Sequence, residues 1–269
     1  NILASLGYLR RGDDFRRAFA AATVHDFFNL LAVAVLLPVE LLTGYLSGLA
    51  GWITDLVIGS SGASFKSPLK AAVKMPAGWI KDLLSELGTH GDLKGGLMIV
   101  IGLVFIFLAL AFVTKNMRLL VANRVEAAIN RTLGAGSGLV AMVLGMIITV
   151  AVQSSSITTS VLVPLAAAGV LSLENVYPVT LGANVGTTVT ALLASLATGS
   201  PAAVTVALVH TLFNLTGIAL FYPVRSLRAL PIRLATGLAR IGAERRTWAV
   251  TYVLVMFLVI PLLGVMILR

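Results

Sequence analysis

The 269-residue sequence has no cysteine, only three histidines and only 12% charged residues. The missing cysteines exclude disulfides and thiol chemistry, and the histidines are too far apart in sequence to suggest a zinc site. The scarcity of charge accompanies 58% hydrophobic residues and a mean hydropathy of +0.98. A chain this apolar must expose apolar side chains on its surface as well as in its core. We therefore predict an all-α integral membrane protein.

Several apolar segments are candidate membrane spans, but some are too short to cross. A full crossing needs about 20 residues, and two of the shortest segments, 139–152 and 157–171, flank a polar cluster. We predict that these two segments are the arms of a re-entrant helical hairpin. The candidate spans are 18–37, 97–113, 139–152, 157–171, 176–196, 204–222 and 248–268.

The polar cluster interrupts the otherwise apolar run 138–171. It consists of Gln153, Ser154, Ser155 and Ser156, followed by Thr158, Thr159 and Ser160. Lipid cannot satisfy amide and hydroxyl groups, so these side chains must face protein, water or a ligand. The pattern is typical of a helix that is broken to hold a polar solute.

An internal repeat relates the two ends of the chain. Segment 1–6 matches 191–196, segment 24–29 matches 209–214, and a Pro-Val pair ends each copy, at Pro38 and Pro223. In the second copy the polar cluster precedes residue 191, so its counterpart would precede Asn1. We expect that the sequence belongs to a longer protein and that the first repeat is truncated here.

The loop charges predict that the two repeats are inverted. The first linker, 9–17, carries four arginines and two aspartates, whereas the second linker, 198–201, is uncharged. Because positively charged loops stay in the cytoplasm, the equivalent helices would run in opposite directions. Inverted repeats with re-entrant hairpins and unwound helices are the architecture of secondary transporters, which is the fold class we predict.

The charges also divide the chain into segments. Segment 225–246 interleaves apolar residues with six arginines, which suits a helix on the anionic cytoplasmic surface of the bilayer. The net charge of +9 therefore reflects membrane topology and does not indicate nucleic-acid binding. Five segments are predicted: the end of the first repeat (1–40), an outer loop (41–96), a connecting helix with a cytoplasmic basic loop (97–137), the second repeat with its hairpin (138–224), and the amphipathic segment with a final helix (225–269). Within the outer loop, the stretch 41–58 is predicted to lie at the membrane interface, and the alternative is that it spans the membrane.

Three motifs carry a family resemblance. They are QSSSITTS at 153–160, YPVTLGANVGTT at 177–188 and FRRAFAAATVHDFFN at 15–29. Together they resemble the type II sodium-dependent phosphate cotransporters, in a bacterial form. The resemblance implies a multi-pass protein of the plasma or bacterial inner membrane that imports inorganic phosphate with sodium by alternating access. The sequence departs from that family in its missing first Gln-Ser block and its short outer segment without cysteines.

The Gln-Ser cluster is the candidate phosphate site. Phosphate oxygens accept hydrogen bonds from hydroxyls, amide groups and the free N–H groups of a helix N-terminus. Such a site lacks the fixed positive charge that would hold the anion too tightly for release. We assign to it Gln153, Ser154, Ser155 and Ser156, together with Thr187, Thr188 and the missing repeat. The alternative is that the hydroxyls bond to helix carbonyls or allow close helix packing.

Segment 182–188 is the candidate sodium site. Its two glycines would let the helix unwind, and the exposed carbonyls with Asn184 and two threonines would form a cage for a small hard cation. The alternative is a packing groove lined by glycine. Taken together with the family resemblance, this segment gives a predicted set of sodium ligands: Asp26, Gln153, Ser154, Thr180, Asn184 and Thr187. The resemblance also implies that sodium is the coupling ion, and we predict no other cofactor.

Asp26 is the only acidic residue within a predicted span. A carboxylate at membrane depth is costly, so it indicates function by default, and the resemblance assigns it to a sodium site. The alternative is a buried hydrogen bond to His25. We predict that His25 and His210 support the site or are core histidines, and that Asn29 and Asn214 tie helices together.

Other classes of protein give weaker explanations. An intramembrane serine hydrolase could pair a serine of the cluster with His25 or His210, but the sequence has no Gly-x-Ser-x-Gly elbow, so we do not predict an enzyme. Transport of sulfate or another small oxyanion, and a non-transporting regulatory membrane protein, are the alternatives. Glycine pairs such as Gly95-Gly96 would allow copies to pack in an oligomer but do not fix the number of subunits.

Overall fold

The computed structural model describes residues 1–8, 11–58, 68–86, 88, 91, 93–105, 108 and 138–267. The basic loop expected at 115–131 and the end of the candidate span 97–113 lie outside this part of the chain. The helices are α1 (Ile2–Leu6), α2 (Gly12–Thr43), α3 (Tyr45–Ile58), α4 (Pro68–Glu86), α5 (Leu93–Phe105), α6 (Gly138–Val152), α7 (Ser155–Ala167), α8 (Leu173–Thr198), α9 (Pro201–Phe221), α10 (Arg225–Glu244), α11 (Arg246–Leu254) and α12 (Ile260–Ile267). A π-helical stretch, Val255–Val259, joins α11 to α12.

The described residues form helices and no strands, which confirms the predicted all-α class. Three of the helices, α2, α8 and α9, are long and apolar enough to cross a membrane. The shorter apolar helices include α3, α5, α6 and α7, which have 10–17 residues each.

Helix α2 continues past the segment boundary expected at residue 40. Asp13 and Asp14 lie in its first turn, where carboxylates interact favourably with the positive end of the helix dipole. It ends at Gly44, whose φ of +61° is a left-handed conformation that glycine adopts without strain. The carboxylate of Glu40 then accepts hydrogen bonds from the backbone N–H groups of Leu46 and Ser47, which fixes the start of α3.

The helix break predicted at the Gln-Ser cluster is present. Gln153 separates α6 from α7 and has a φ of +56°, the only positive φ at a non-glycine residue in the described ranges. Ser154 caps α7 by accepting a hydrogen bond from the backbone N–H of Ile157. Across the break, the hydroxyls of Thr149 and Thr158 lie 2.9 Å apart and join α6 to α7. That the two arms re-enter from one face of the membrane stays a prediction.

The expectation that the chain unwinds at segment 182–188 is wrong, because α8 is a continuous helix from Leu173 to Thr198. Its glycines allow α6 to pack against it, backbone to backbone. A Cβ atom at Gly182 would lie 1.8 Å from the carbonyl oxygen of Met142, and one at Gly145 would lie 2.1 Å from that of Val179. The alternative, a glycine-lined packing groove, describes this segment correctly.

The repeat-related helices α2 and α9 run in opposite directions where they meet. The rings of Phe28 and Phe221 are 6.1 Å apart, whereas Ala32, one turn later in α2, faces Gly217, about one turn earlier in α9. The matching segments 1–6 and 191–196 also make the same local hydrogen bond. Ser5 donates a hydrogen bond to the carbonyl of Ile2, and its counterpart Ser195 donates one to the carbonyl of Leu192.

Helix α10 packs along α2 and has an amphipathic sequence. Its buried residues are Pro231, Ala235, Ala239 and Gly242, which are small or compact. Gly242 lies against Phe15 and Phe19, in the first turns of α2. The predicted amphipathic segment is thus a helix, and it is fixed to the arginine-rich end of α2.

Candidate functional site

The first turn of α7 places two neighbouring serines beside two different cavities. Ser155 lines one cavity and Ser156 lines the other. The first N–H groups of a helix have no partner within the helix, so this turn also presents hydrogen-bond donors and the positive end of the helix dipole. A single turn of the chain can therefore contact ligands in both cavities.

The first cavity, which we call the amide cavity, has a volume of about 270 Å³. It is lined by uncharged hydrogen-bonding groups, one histidine and one phenylalanine, and no lysine or arginine lies among the described residues that line it. These residues come from α2, α7, α8 and α9. They are Asn29, Ser155, Asn184, Thr187, His210, Phe213 and Asn214.

Three asparagines tie the helices around the amide cavity. Asn184 Nδ2 donates a hydrogen bond to Asn29 Oδ1 over 3.1 Å. Asn214 Nδ2 donates to the backbone carbonyl of Asn184 over 3.4 Å. Asn29 and Asn214 are equivalent residues of the two repeats, so both repeats meet at Asn184. This arrangement agrees with the prediction that the two residues link helices.

The second cavity, which we call the acidic cavity, has a volume of about 380 Å³. Besides Ser156 it is lined by Asp26 and His25 of α2 and by Asn1. Asp26 Oδ1 lies 3.0 Å from Nε2 of His25, and Oδ2 accepts a hydrogen bond from the hydroxyl of Tyr252 over 3.2 Å. The carboxylate therefore lies close to the imidazole of His25, the neighbour named in the alternative, and it also lines a cavity.

The remaining predicted site residues occupy several environments. Gln153 is exposed at the tip between α6 and α7, and Ser154 is half-buried as the cap of α7. Thr180 and Thr188 are buried in α8, where their hydroxyls donate to the carbonyls of Tyr177 and Val185. The structure therefore brings Ser155, Asn184 and Thr187 together, and it places Asp26 in a separate cavity.

Tyr252 is a site residue that was not predicted from the sequence. This residue belongs to α11 and lies 226 positions after the aspartate that it contacts. A tyrosine in an apolar segment carries one polar atom that needs a partner when buried, and that was the available signal. Which polar group it would meet depends on how α11 folds back on α2.

Each cavity is lined by one serine of the cluster and one histidine, which are the two residue types that the hydrolase alternative requires. Ser155 lines the amide cavity with His210, and Ser156 lines the acidic cavity with His25. Nε2 of His25 contacts Asp26, and Nδ1 is buried with no hydrogen-bond partner in the described ranges. The catalytic pairing would require a serine hydroxyl in hydrogen-bonding reach of an imidazole nitrogen. Among the residues described, none of these hydroxyls bonds to either histidine.

The fold and the two cavities define an all-α membrane protein with polar, solute-sized sites between its helices. The family described as Na+/Pi-cotransporter matches residues 104–242, which include α6 to α9 and most of α10. The match covers just over half of the chain. The chain belongs to the Na+/Pi-cotransporter family, as the three sequence motifs predicted.

Curated relatives extend the similarity over most of the chain. Sodium-dependent phosphate transport protein 2A of Rattus norvegicus is 36% identical over 94% of this chain. Sodium-dependent phosphate transport protein 2B is 31% identical over 94% in Bos taurus and 30% identical over 97% in Homo sapiens. The alignments cover 50%, 49% and 50% of these relatives, so the chain spans about half the length of the curated relatives that it matches. No solved structure matches the chain. The relatives are transporters, which favours a protein that is not an enzyme.

Proposed function

We propose that this chain forms part of a multi-pass membrane transporter that imports inorganic phosphate together with sodium. The observation that carries the proposal is the position of Ser155 and Ser156. These adjacent residues face an uncharged cavity rich in hydrogen-bonding groups and a cavity with a carboxylate. An anion and a cation would each find suitable groups there, within one helical turn of each other.

Phosphate would bind in the amide cavity. The hydroxyl of Ser155 and the first N–H groups of α7 supply donors for its oxygens, and Gln153 and Ser154 lie at the same helix start. Thr187 also lines the cavity, and its hydroxyl, which donates to the carbonyl of Ala183, would have to turn away from its own helix to donate to phosphate. Since the described lining of the cavity includes no lysine or arginine, the anion would bind there without a permanent counter-charge. Such a site would favour release as well as binding. Thr188 bonds to its own helix and would shape α8 from within.

Sodium would bind at two places. Asp26 supplies a carboxylate oxygen to the acidic cavity, beside the serine hydroxyl of Ser156. Asn184 and Thr187, which each carry a side-chain oxygen, line the amide cavity, where a cation would offset the charge of phosphate. Gln153, Ser154 and Thr180 complete the predicted sodium set, and Thr180 would act through the geometry of α8 because its hydroxyl is buried.

Alternating access would follow from the inverted repeats. The antiparallel crossing of α2 and α9 and the matching hydrogen bonds of Ser5 and Ser195 support that relation. If the complete protein carries both repeats, inward-facing and outward-facing states would be related by their symmetry. The site lies where the repeats meet, at Asn184, and would therefore change exposure when one repeat moves against the other.

Uptake of labelled phosphate by the full-length protein in proteoliposomes tests the proposal. An inward sodium gradient should drive uptake, an equal potassium gradient should not, and excess sulfate should compete poorly. Ser155→Ala should reduce phosphate uptake at least tenfold, while Ser226→Ala, an exposed serine of α10, should leave it unchanged. Equal uptake in sodium and potassium would contradict sodium coupling, and strong competition by sulfate would identify another oxyanion as the substrate.

A further inference from the structure

Helix α10 presents three distinct faces around its axis. At about 100° per residue, the buried positions Pro231, Ala235 and Ala239 fall within one sector, which faces α2. A second sector contains exposed arginines, and a third contains exposed leucine and isoleucine. The packing of α10 on α2 accounts for the first face and leaves the other two without a protein partner in the described part of the chain.

The arginine face is strongly basic. Arg225, Arg233 and Arg240 are exposed and project from the same third of the helix surface, on the side away from α2. The only acidic residue of α10 is Glu244, in its final turn. Arg228 is different, because its guanidinium lies 5.2 Å from the ring centre of Tyr222 and is held there. The open face thus carries three positive charges and can attract an anionic surface.

The apolar face lies beside the arginine face. Leu230, Leu234 and Ile241 fall on one stripe and are 37%, 42% and 44% exposed. Apolar side chains next to a row of arginines suit the boundary between lipid headgroups and acyl chains, where the leucines enter the acyl region and the arginines reach phosphates. A soluble acidic partner would satisfy the arginines but would leave this stripe in water.

The location of α10 selects one leaflet. It packs against Phe15 and Phe19 near the start of α2, where Arg11, Arg16 and Arg17 also lie. Loops rich in arginine remain on the cytoplasmic side, where anionic lipids give the membrane a negative surface potential. The arginines at the start of α2 are already partnered in part, since Arg17 contacts Asp14 and the carbonyl of Ala167. Within the described part of the chain, Arg225, Arg233 and Arg240 of α10 are exposed and have no ion-pair partner.

We infer that α10 is an interfacial helix that binds anionic phospholipid of the cytoplasmic leaflet through Arg225, Arg233 and Arg240, with Leu230, Leu234 and Ile241 in the acyl region. The helix thereby fixes the basic end of α2 to the membrane surface. This binding is independent of transport and requires neither sodium nor phosphate.

Tryptophan fluorescence offers a direct test, because Trp248 follows α10 closely and its backbone N–H bonds to the carbonyl of Arg245. The full-length protein is reconstituted in phosphatidylcholine vesicles. It carries Trp52→Phe and Trp79→Phe, and any tryptophan outside this chain is also replaced, so that Trp248 is the single fluorophore. A small fraction of brominated lipid is added as either phosphatidylglycerol or phosphatidylcholine. We expect brominated phosphatidylglycerol to quench Trp248 more strongly at the same mole fraction, and the excess to shrink as salt rises.

Matched variants identify the residues responsible. Arg233→Gln with Arg240→Gln should lower the apparent enrichment of phosphatidylglycerol by about 30-fold, since each arginine near the surface contributes about 1 kcal/mol, which is about fivefold. Lys81→Gln with Lys94→Gln removes the same charge from other helices and should retain the enrichment. Equal quenching by the two lipids in the parent protein, or an enrichment that survives the double arginine substitution, would overturn the inference. Phosphate uptake is measured on the same vesicles, so a failure of transport would be distinguished from a failure of lipid binding.

Discussion

Asn184 and Asn29 form a direct amide hydrogen bond between α8 and α2, with Asn184 Nδ2 donating to Asn29 Oδ1 over 3.1 Å. We predict that Asn29→Ala and Asn184→Ala are each destabilising and that their effects are not additive. Polar contacts between membrane helices contribute on average about 0.6 kcal/mol, which is the coupling expected here. Thermal unfolding of the two single variants and the double variant in detergent measures it. Strictly additive changes would contradict a direct interaction.

Gln153 has a left-handed backbone, which is unfavourable for a residue with a side chain. Its φ of +56° costs about 1–2 kcal/mol relative to glycine. Gln153→Gly should therefore preserve or raise thermal stability while it lowers phosphate uptake, because the amide group is lost. Gln153→Val should lower both, since a β-branched residue is strained at this φ. If Gln153→Gly transports at the parental rate, the side chain does not contribute to the site.

Tyr252 donates to the carboxylate of Asp26 across 226 positions of sequence. We predict that Tyr252→Phe raises the sodium concentration needed for half-maximal uptake by about threefold to tenfold, since a hydrogen bond of about 0.5–1.5 kcal/mol is lost. The maximal rate and the folded yield should change little. Tyr45→Phe, which affects an exposed hydroxyl on α3, is the matched control. A loss of maximal rate with unchanged sodium dependence would indicate a structural role for Tyr252.

Gly182 provides the closest approach of α8 to α6. Gly182→Ala would place a Cβ atom 1.8 Å from the carbonyl oxygen of Met142, so the helices must separate. Such overpacking costs about 1–3 kcal/mol, and we expect a clear drop in melting temperature. Gly48→Ala has nothing within 4 Å of the added atom and should be neutral or slightly stabilising. Equal melting temperatures for the two variants would show that α6 and α8 are less tightly packed than the structure indicates.

The helix break was predictable because the residue types themselves indicate it. Gln153 and the serines after it bring polar atoms into a segment that is otherwise apolar, and lipid cannot satisfy them. The cap at Ser154 follows from the same residues. The short helices on either side, α6 and α7, were therefore visible in the sequence.

The behaviour of segment 182–188 was not predictable from its composition. A glycine in a membrane helix has the same sequence signal whether it loosens the backbone or admits a neighbouring helix. Which of the two roles the glycines have depends on the position of α6, whose backbone carbonyls lie against Gly182 and Gly186. Likewise, the separation of Asp26 from Asn184 into two cavities depends on the position of α7 between them, which residue types alone do not specify.

The contact between α6 and α8 constrains how the molecule can change shape. Carbonyl oxygens of one helix face glycines of the other, so sliding would drive backbone into side chains. The two helices should therefore travel as one rigid body. Motion must then be concentrated at boundaries elsewhere, and the seam between α8 and α2, which Asn184 and Asn29 bridge, lies along one of them. Ligands that contact both sides of this seam would regulate its opening directly.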